Sequence, residues 1–304
     1  MSARVDRAIA DEEPLVFDDG FLKKLERLQL ISQKIAKGAL RGEHATRRRG
    51  RGSEFTDFRA YRPGDEVRHI DWNISSRLDR LFLKLFASEE DLTLHLLLDT
   101  SESMAFGTPS KFDHARRVCA ALAIVGLSHF DRVSISPFNV ALQDGLPPVK
   151  SRTRIASVLD FLRQCRPEER TDFETPLTEF SSRPQRPGLV IVVSDLLGAD
   201  NLFRGLDALR WHQHDVVVLQ LLSDEEVTPQ VDGVLRLIDA ETGDDLRLVV
   251  DAELRRLYET KVNEYFRTVE AYCRRTRAAY FRAQTSIPFE DIVLKYFRQA
   301  AYLR

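Results

Sequence analysis

Residues 92–104 read LTLHLLLDTSESM. Leu92, Leu94, Leu96, Leu97 and Leu98 make a nearly continuous apolar run that stops at Asp99. Such a run fits a strand buried on both faces, as in the middle of a parallel sheet. Asp99, Ser101 and Ser103 follow at alternate positions, and on an extended backbone they point the same way. Ligands of open α/β sheets bind just beyond the carboxyl ends of the strands, and hard oxygen donors gathered there suit Mg²⁺ or Mn²⁺. The same residue types also form turns and cap helices; both readings stand on this stretch alone.

Two later pieces favour the metal. Leu189 to Val193 form a second buried run that ends in Ser194-Asp195, and Arg170-Thr171-Asp172 precede a helical pattern. With these in place the chain resembles a von Willebrand factor A domain, whose metal-ion-dependent adhesion site uses a D-x-S-x-S turn, a distant Thr and a distant Asp. Position by position, the resemblance implies Asp99, Ser101, Ser103, Thr171 and Asp195 as metal ligands, with Thr175 as the alternative to Thr171. Where the family pattern often has glycines before that Thr, this chain has Glu169 and Arg170.

The bulk properties set limits. With 304 residues, 43% hydrophobic and 30% charged, the chain has ample material for a core. A net charge of -2 gives no electrostatic reason to expect nucleic acid. Cys119, Cys165 and Cys273 are odd in number and widely spaced, which reads as reduced thiols and a cytoplasmic protein. The polar, acid-containing start MSARVDRAIADEEP is not a signal peptide pattern, and no run approaches the ~20 apolar residues of a membrane span.

Residues 1–17 read as a mobile N-terminus. Phe21, Leu25, Leu28, Ile31 and Ile35 then recur at helical spacing, with Asp18 or Asp19 to cap and Gly38 to stop. Gly42 to Gly52, with Arg47, Arg48, Arg49 and Arg51, reads as a solvated basic loop. The next stretch is denser: Glu54-Phe55, Phe58-Arg59, Tyr61, Pro63-Gly64-Asp65, Arg68, Ile70-Asp71-Trp72, then Ser75-Ser76-Arg77. Pro-Gly-Asp marks a turn. The plain expectation is a buttress, with Arg59, Arg68 and Arg77 paired to Asp65 and Asp71 while Phe55, Tyr61 and Trp72 cover apolar surface. This run of motif residues, followed by the strand and its D-x-S-x-S turn, resembles the domain of unknown function 58 family. The likeness extends from about residue 20 to the C-terminus and implies a MoxR-type AAA+ ATPase as partner.

Downstream, strands are expected at 81–86, 133–138, 189–193, 216–222 and 279–282, with Val140 to Leu142 starting a short antiparallel strand. Helices are expected at 111–128 (capped by Thr108 or Ser110), 154–162, 174–182, 201–210, 251–275 and 289–300. The alternation predicts an α/β fold of von Willebrand A-like, Rossmann-like type. Its sheet is mostly parallel, with helices on both faces and right-handed crossovers. Residues 18–91 form an N-terminal extension packed on a core at 92–304, interrupted by an inserted hairpin at about 232–250 around Glu241-Thr242-Gly243-Asp244.

No phosphate loop of the G-x-x-x-x-G-K-[ST] type and no G-x-S-x-G elbow is present. A haloacid-dehalogenase-type phosphatase needs a second Asp where Ser101 stands. His212 and His214 read as a surface pair, and His69 as a structural side chain. The expectation is therefore a binding module and not an enzyme. In it a partner's Asp or Glu completes the metal shell, and the chain works as an adaptor or chaperone-like companion of the ATPase. The alternatives are a metal-dependent phosphoester hydrolase, for which Arg170 is the cation sequence places near the pocket, or a scaffold with a vestigial metal site.

Overall fold

The computed structural model describes residues 17–39, 49–62, 65, 67, 70–78, 80–87, 93–128, 132–197, 201–229, 233–238 and 245–302. In chain order the N-terminal part holds α1 (Asp19–Ala39), β1 (Arg49–Ala60), α2 (Trp72–Leu78) and β2 (Phe82–Ala87). The central part holds β3 (Thr93–Asp99), α3 (Lys111–Ser128), β4 (Arg132–Phe138), β5 (Leu146–Val149), α4 (Ile155–Gln164), α5 (Glu174–Ser182), β6 (Leu189–Ser194), α6 (Leu202–Trp211) and β7 (Asp215–Leu222). The remainder is α7 (Asp224–Val227), β8 (Gly233–Ile238), β9 (Asp245–Val250), α8 (Ala252–Thr276), β10 (Ala279–Gln284) and α9 (Phe289–Tyr302).

Six strands make one sheet in the order β10-β7-β6-β3-β4-β5, parallel except for β5. All seven residues of β3 are buried, as its apolar run requires. Alternate side chains serve opposite faces. Leu94, Leu96 and Leu98 join the core cluster built with α1, α3, α4 and α9, whereas Leu97 joins the cluster built with α5, α6 and α8. Each fully buried leucine contributes roughly 1.5–3 kcal/mol, enough to hold β3 at the centre despite His95 within it. His95 is satisfied there: its Nδ1 lies 2.7 Å from Ser134 Oγ and its Nε2 3.2 Å from the Arg186 carbonyl. The mostly parallel sheet covered by helices on both faces is the architecture expected from sequence.

The strand order has one consequence for function. After β3 the chain builds outward through β4 and β5 on one side, then returns to lay β6, β7 and β10 on the other. The reversal falls between β3 and β6, and it is at such reversals, beyond the carboxyl ends of the strands, that doubly wound sheets bind their ligands.

Several expectations are corrected. Phe17, assigned to the mobile N-terminus, is buried with its ring 5.0 Å from that of Phe21. Gly38 does not stop α1, which runs on to Ala39; Asp18 does cap it, accepting from the Phe21 N–H at 2.6 Å. The basic stretch is strand from Arg49 onward, paired antiparallel with β2; residues 40–48 lie outside the described residues. The antiparallel edge strand is Leu146–Val149, and Leu142 contributes an isolated bridge to Phe138. His214 is buried and not a surface residue: its ring packs edge-on to His95, and Nδ1 accepts from the Gly188 N–H at 3.2 Å. β8 and β9 form the separate hairpin.

Candidate functional site

β3 and β6 pair in parallel register through Leu98 and Val193. The next residue on each strand, Asp99 and Ser194, therefore meets at the reversal point. Ser194 Oγ–H donates to Asp99 Oδ2 at 2.5 Å, and the Ser101 N–H donates to Asp99 Oδ1 at 2.9 Å. Ser101 Oγ lies 3.1 Å from Ser103 Oγ. Asp99, Ser101 and Asp195 are buried, and Ser103 is half-buried, so the turn opens to solvent on the Ser103 side.

Asp195 is fixed in turn. Its Oδ1 accepts from the Leu197 N–H at 3.0 Å, and its carbonyl accepts from Gln220 Nε2 at 2.7 Å. Leu196 holds a left-handed φ of 59°, which costs a non-glycine residue about 1–2 kcal/mol. Ser194 Oγ accepts its N–H at 2.9 Å, Tyr265 donates to its carbonyl, and its side chain is fully buried. Burial, followed by the neighbouring Asp195 carboxylate, pushes the Asp99 carboxyl well above its usual range against the hydrogen bonds from Ser194 and Ser101. Two neighbouring carboxyls, both fully buried, favour a proton or a cation beside them.

The third expected piece approaches the same turn. The Glu102 N–H donates to the Glu169 carbonyl at 2.9 Å, and the Glu168 N–H to the Thr100 carbonyl at 2.7 Å. These bonds lay residues 168–169 along the D-x-S-x-S turn, two residues before Thr171, which is half-buried; Thr175 is exposed on α5. Glu169 has φ 67°, a left-handed conformation that glycine adopts freely.

Sequence reasoning missed the cation of the site. Arg170 is exposed; the buried cation is Lys111, at the first position of α3. Its Nζ donates to Asp195 Oδ2 at 2.6 Å and also to Glu226 Oε1. Glu226 closes a capping box on α7, accepting from the Ser223 N–H while Ser223 Oγ accepts from the Glu226 N–H. Both had a signal. Ser223-Asp-Glu-Glu226 is a capping-box pattern, and a lysine in a first helical turn opposes the helix dipole, which asks for nearby acids.

Two carboxylates and two hydroxyls form an oxygen-only set of the kind Mg²⁺ takes, and each carboxylate oxygen can accept more than one partner, so the set fits that metal. Among the described residues no cluster of three or more His, Cys, Asp and Glu side chains is arranged for a metal, so any such site depends on the serines.

The family-motif residues lie elsewhere. Arg59 pairs with Asp65 at 2.9 Å, and this hydrogen bond holds the Asp65 carboxyl below its usual range, helped by the Arg62 N–H. Asp71 caps α2, accepting from the N–H groups of Asn73 and Ile74. The Tyr61 N–H donates to the Leu81 carbonyl at 2.8 Å. Trp72 does not cover apolar surface as expected: it is 65% exposed, because it starts α2 on the outer side. Arg77 is exposed, and Pro63, Gly64, Arg68 and His69 lie outside the described residues.

Comparison with known proteins agrees with the motif. The uncharacterised proteins Rv1480 of Mycobacterium tuberculosis and Mb1516 of Mycobacterium bovis are each 28% identical over 236 residues, 76% of this chain and 74% of theirs. Among solved structures, BatB of Bacteroides thetaiotaomicron shares 16% identity at a TM-score of 0.43, covering 70% of this chain and 100% of its own. An aerotolerance-related membrane protein of Bacteroides fragilis shares 15% at 0.45 with the same coverage. Among the described residues of this chain, no helix is long and apolar enough to cross a membrane. Residues 57–267 match the model of the family described as protein of unknown function DUF58, and the chain belongs to that family.

Proposed function

We propose that this protein is a metal-dependent protein-binding module of von Willebrand A-like type. Asp99, Ser101, Ser103, Thr171 and Asp195 would hold Mg²⁺ or Mn²⁺, in part through water. The observation that carries this reading is the meeting of the Asp99–Ser103 turn with Ser194-Asp195 at the sheet reversal. Bound there, the metal supplies a coordination position for a carboxylate from a partner protein. The partner carboxylate would approach past Ser103, which is half-buried where Asp99 and Ser101 are fully buried. The free cysteines Cys119, Cys165 and Cys273 support a reducing, cytoplasmic setting. The resemblance to the family adds a MoxR-type AAA+ ATPase as the partner, for which this chain acts as an adaptor. Ser194, whose hydroxyl donates to the Asp99 carboxylate, is fully buried and so out of reach of a substrate, and we favour binding over hydrolysis.

Manganese electron paramagnetic resonance on the wild type and on Ser101→Ala/Ser103→Ala tests the assignment. Bound Mn²⁺ in the wild type and its loss in the variant are expected. Equal binding by both proteins removes the serines from the site, and no binding by either removes the metal.

A further inference from the structure

We propose that Lys111 is the resident cation of this site and competes with divalent metal for Asp195, so that metal binding is an exchange of cations within an already folded crevice. This inference rests on the metal-binding reading above and adds its regulation.

The geometry is specific. The Lys111 side chain is 0% exposed, as is that of Asp195, and they meet at 2.6 Å. A buried ammonium needs both charge partners and hydrogen bonds, and here two carboxylates provide them. The helix offers Lys111 nothing of its own, because the first turn of α3 presents the positive end of the dipole. The two carboxylates, with the Phe106 ring 5.9 Å from Nζ, hold the side chain inward.

Glu226 makes the exchange feasible. Its side chain is 15% exposed, closer to solvent than Asp195. It is anchored from three directions: the Ser223 N–H donates to its Oε2 at 2.9 Å, its own N–H donates to Ser223 Oγ at 3.2 Å, and Tyr258 donates to its carbonyl at 2.7 Å. An ammonium released from Asp195 keeps Glu226 as its partner, so neither ion is left buried alone. The Asp195 oxygen and its charge then become available to the incoming cation.

The test is isothermal titration of full-length protein with MnCl₂ and MgCl₂. It compares wild type, Lys111→Met, and Lys111→Met/Glu226→Gln. The double variant removes one positive and one negative charge together, so it keeps the net charge of the site and leaves no carboxylate without its lysine except Asp195. At least tenfold tighter binding than wild type is expected in both variants. A lysine that merely supports the site would instead weaken binding when removed. If Lys111→Met does not fold, the double variant carries the test. Metal binding by the wild type with no gain in the double variant overturns the exchange and leaves the metal site standing. No binding by any of the three proteins overturns both.

Discussion

Lys111 Nζ sits 2.6 Å from Asp195 Oδ2 with both side chains fully buried, which places a positive charge at the edge of the D-x-S-x-S turn before any ligand arrives. Removing one member of a buried ion pair leaves the other charge uncompensated, at a cost of ~3–5 kcal/mol. Lys111→Met should lose about that much stability in urea unfolding with EDTA present. A loss below ~1 kcal/mol would mean that the pair contributes little to the fold.

Gly107 has φ 95°, and a Cβ there would stand 2.8 Å from Ser223 Cβ. Gly107→Ala should therefore combine left-handed strain of about 1–2 kcal/mol with pressure on the residue that orients Glu226. Differential scanning calorimetry checks this; a melting temperature equal to wild type would show that the loop moves away freely.

Glu169 is exposed yet left-handed. Glu169→Gly should stabilise the protein by about 0.5–1 kcal/mol, while Glu169→Ala should not, since alanine carries the same Cβ penalty. Equal effects of the two substitutions on urea midpoints would show that strain at 169 is not the cause.

His95 is kept neutral in the folded state, its pKa lowered to about 4 mainly by burial and further by His214. A folded-state pKa below the unfolded value means that the unfolded chain binds the extra proton. His95 thus contributes full stability above pH ~6.5 and progressively less as pH falls toward 4, about 3 kcal/mol in all. Comparing wild type with His95→Gln isolates this residue from Asp99, whose raised pKa acts with the opposite sign. The stability difference between them should shift by about that amount from pH 7 to pH 4; a constant difference would place the imidazolium comfortably in the fold.

The sheet was legible because its signals are local. The apolar runs ending at Asp99 and Asp195 give buried parallel strands, and α5 begins at Glu174 where the pattern places it. Composition misled at Trp72 and His214. An aromatic in a dense motif reads as cover and a histidine at a strand entrance as surface, but tertiary packing exposes the first and buries the second. The edge strand Leu146–Val149 was hidden by its two prolines, which discount a strand unless it lies at a sheet edge, as this one does. The pairing of Lys111 with Asp195 spans 84 residues of sequence, and no local pattern connects such distant positions.

The most direct measurement is a thermal melt of the wild type and Asp99→Asn in EDTA, Mg²⁺ and Mn²⁺. A ligand that binds only the folded state adds about 2.7 kcal/mol at a hundredfold excess over its Kd. A metal-dependent rise in melting temperature for the wild type, absent in Asp99→Asn, is the expected result. Identical melts of the wild type in EDTA and in saturating metal would mean that Asp99, Ser101, Ser103 and Asp195 do not bind a cation.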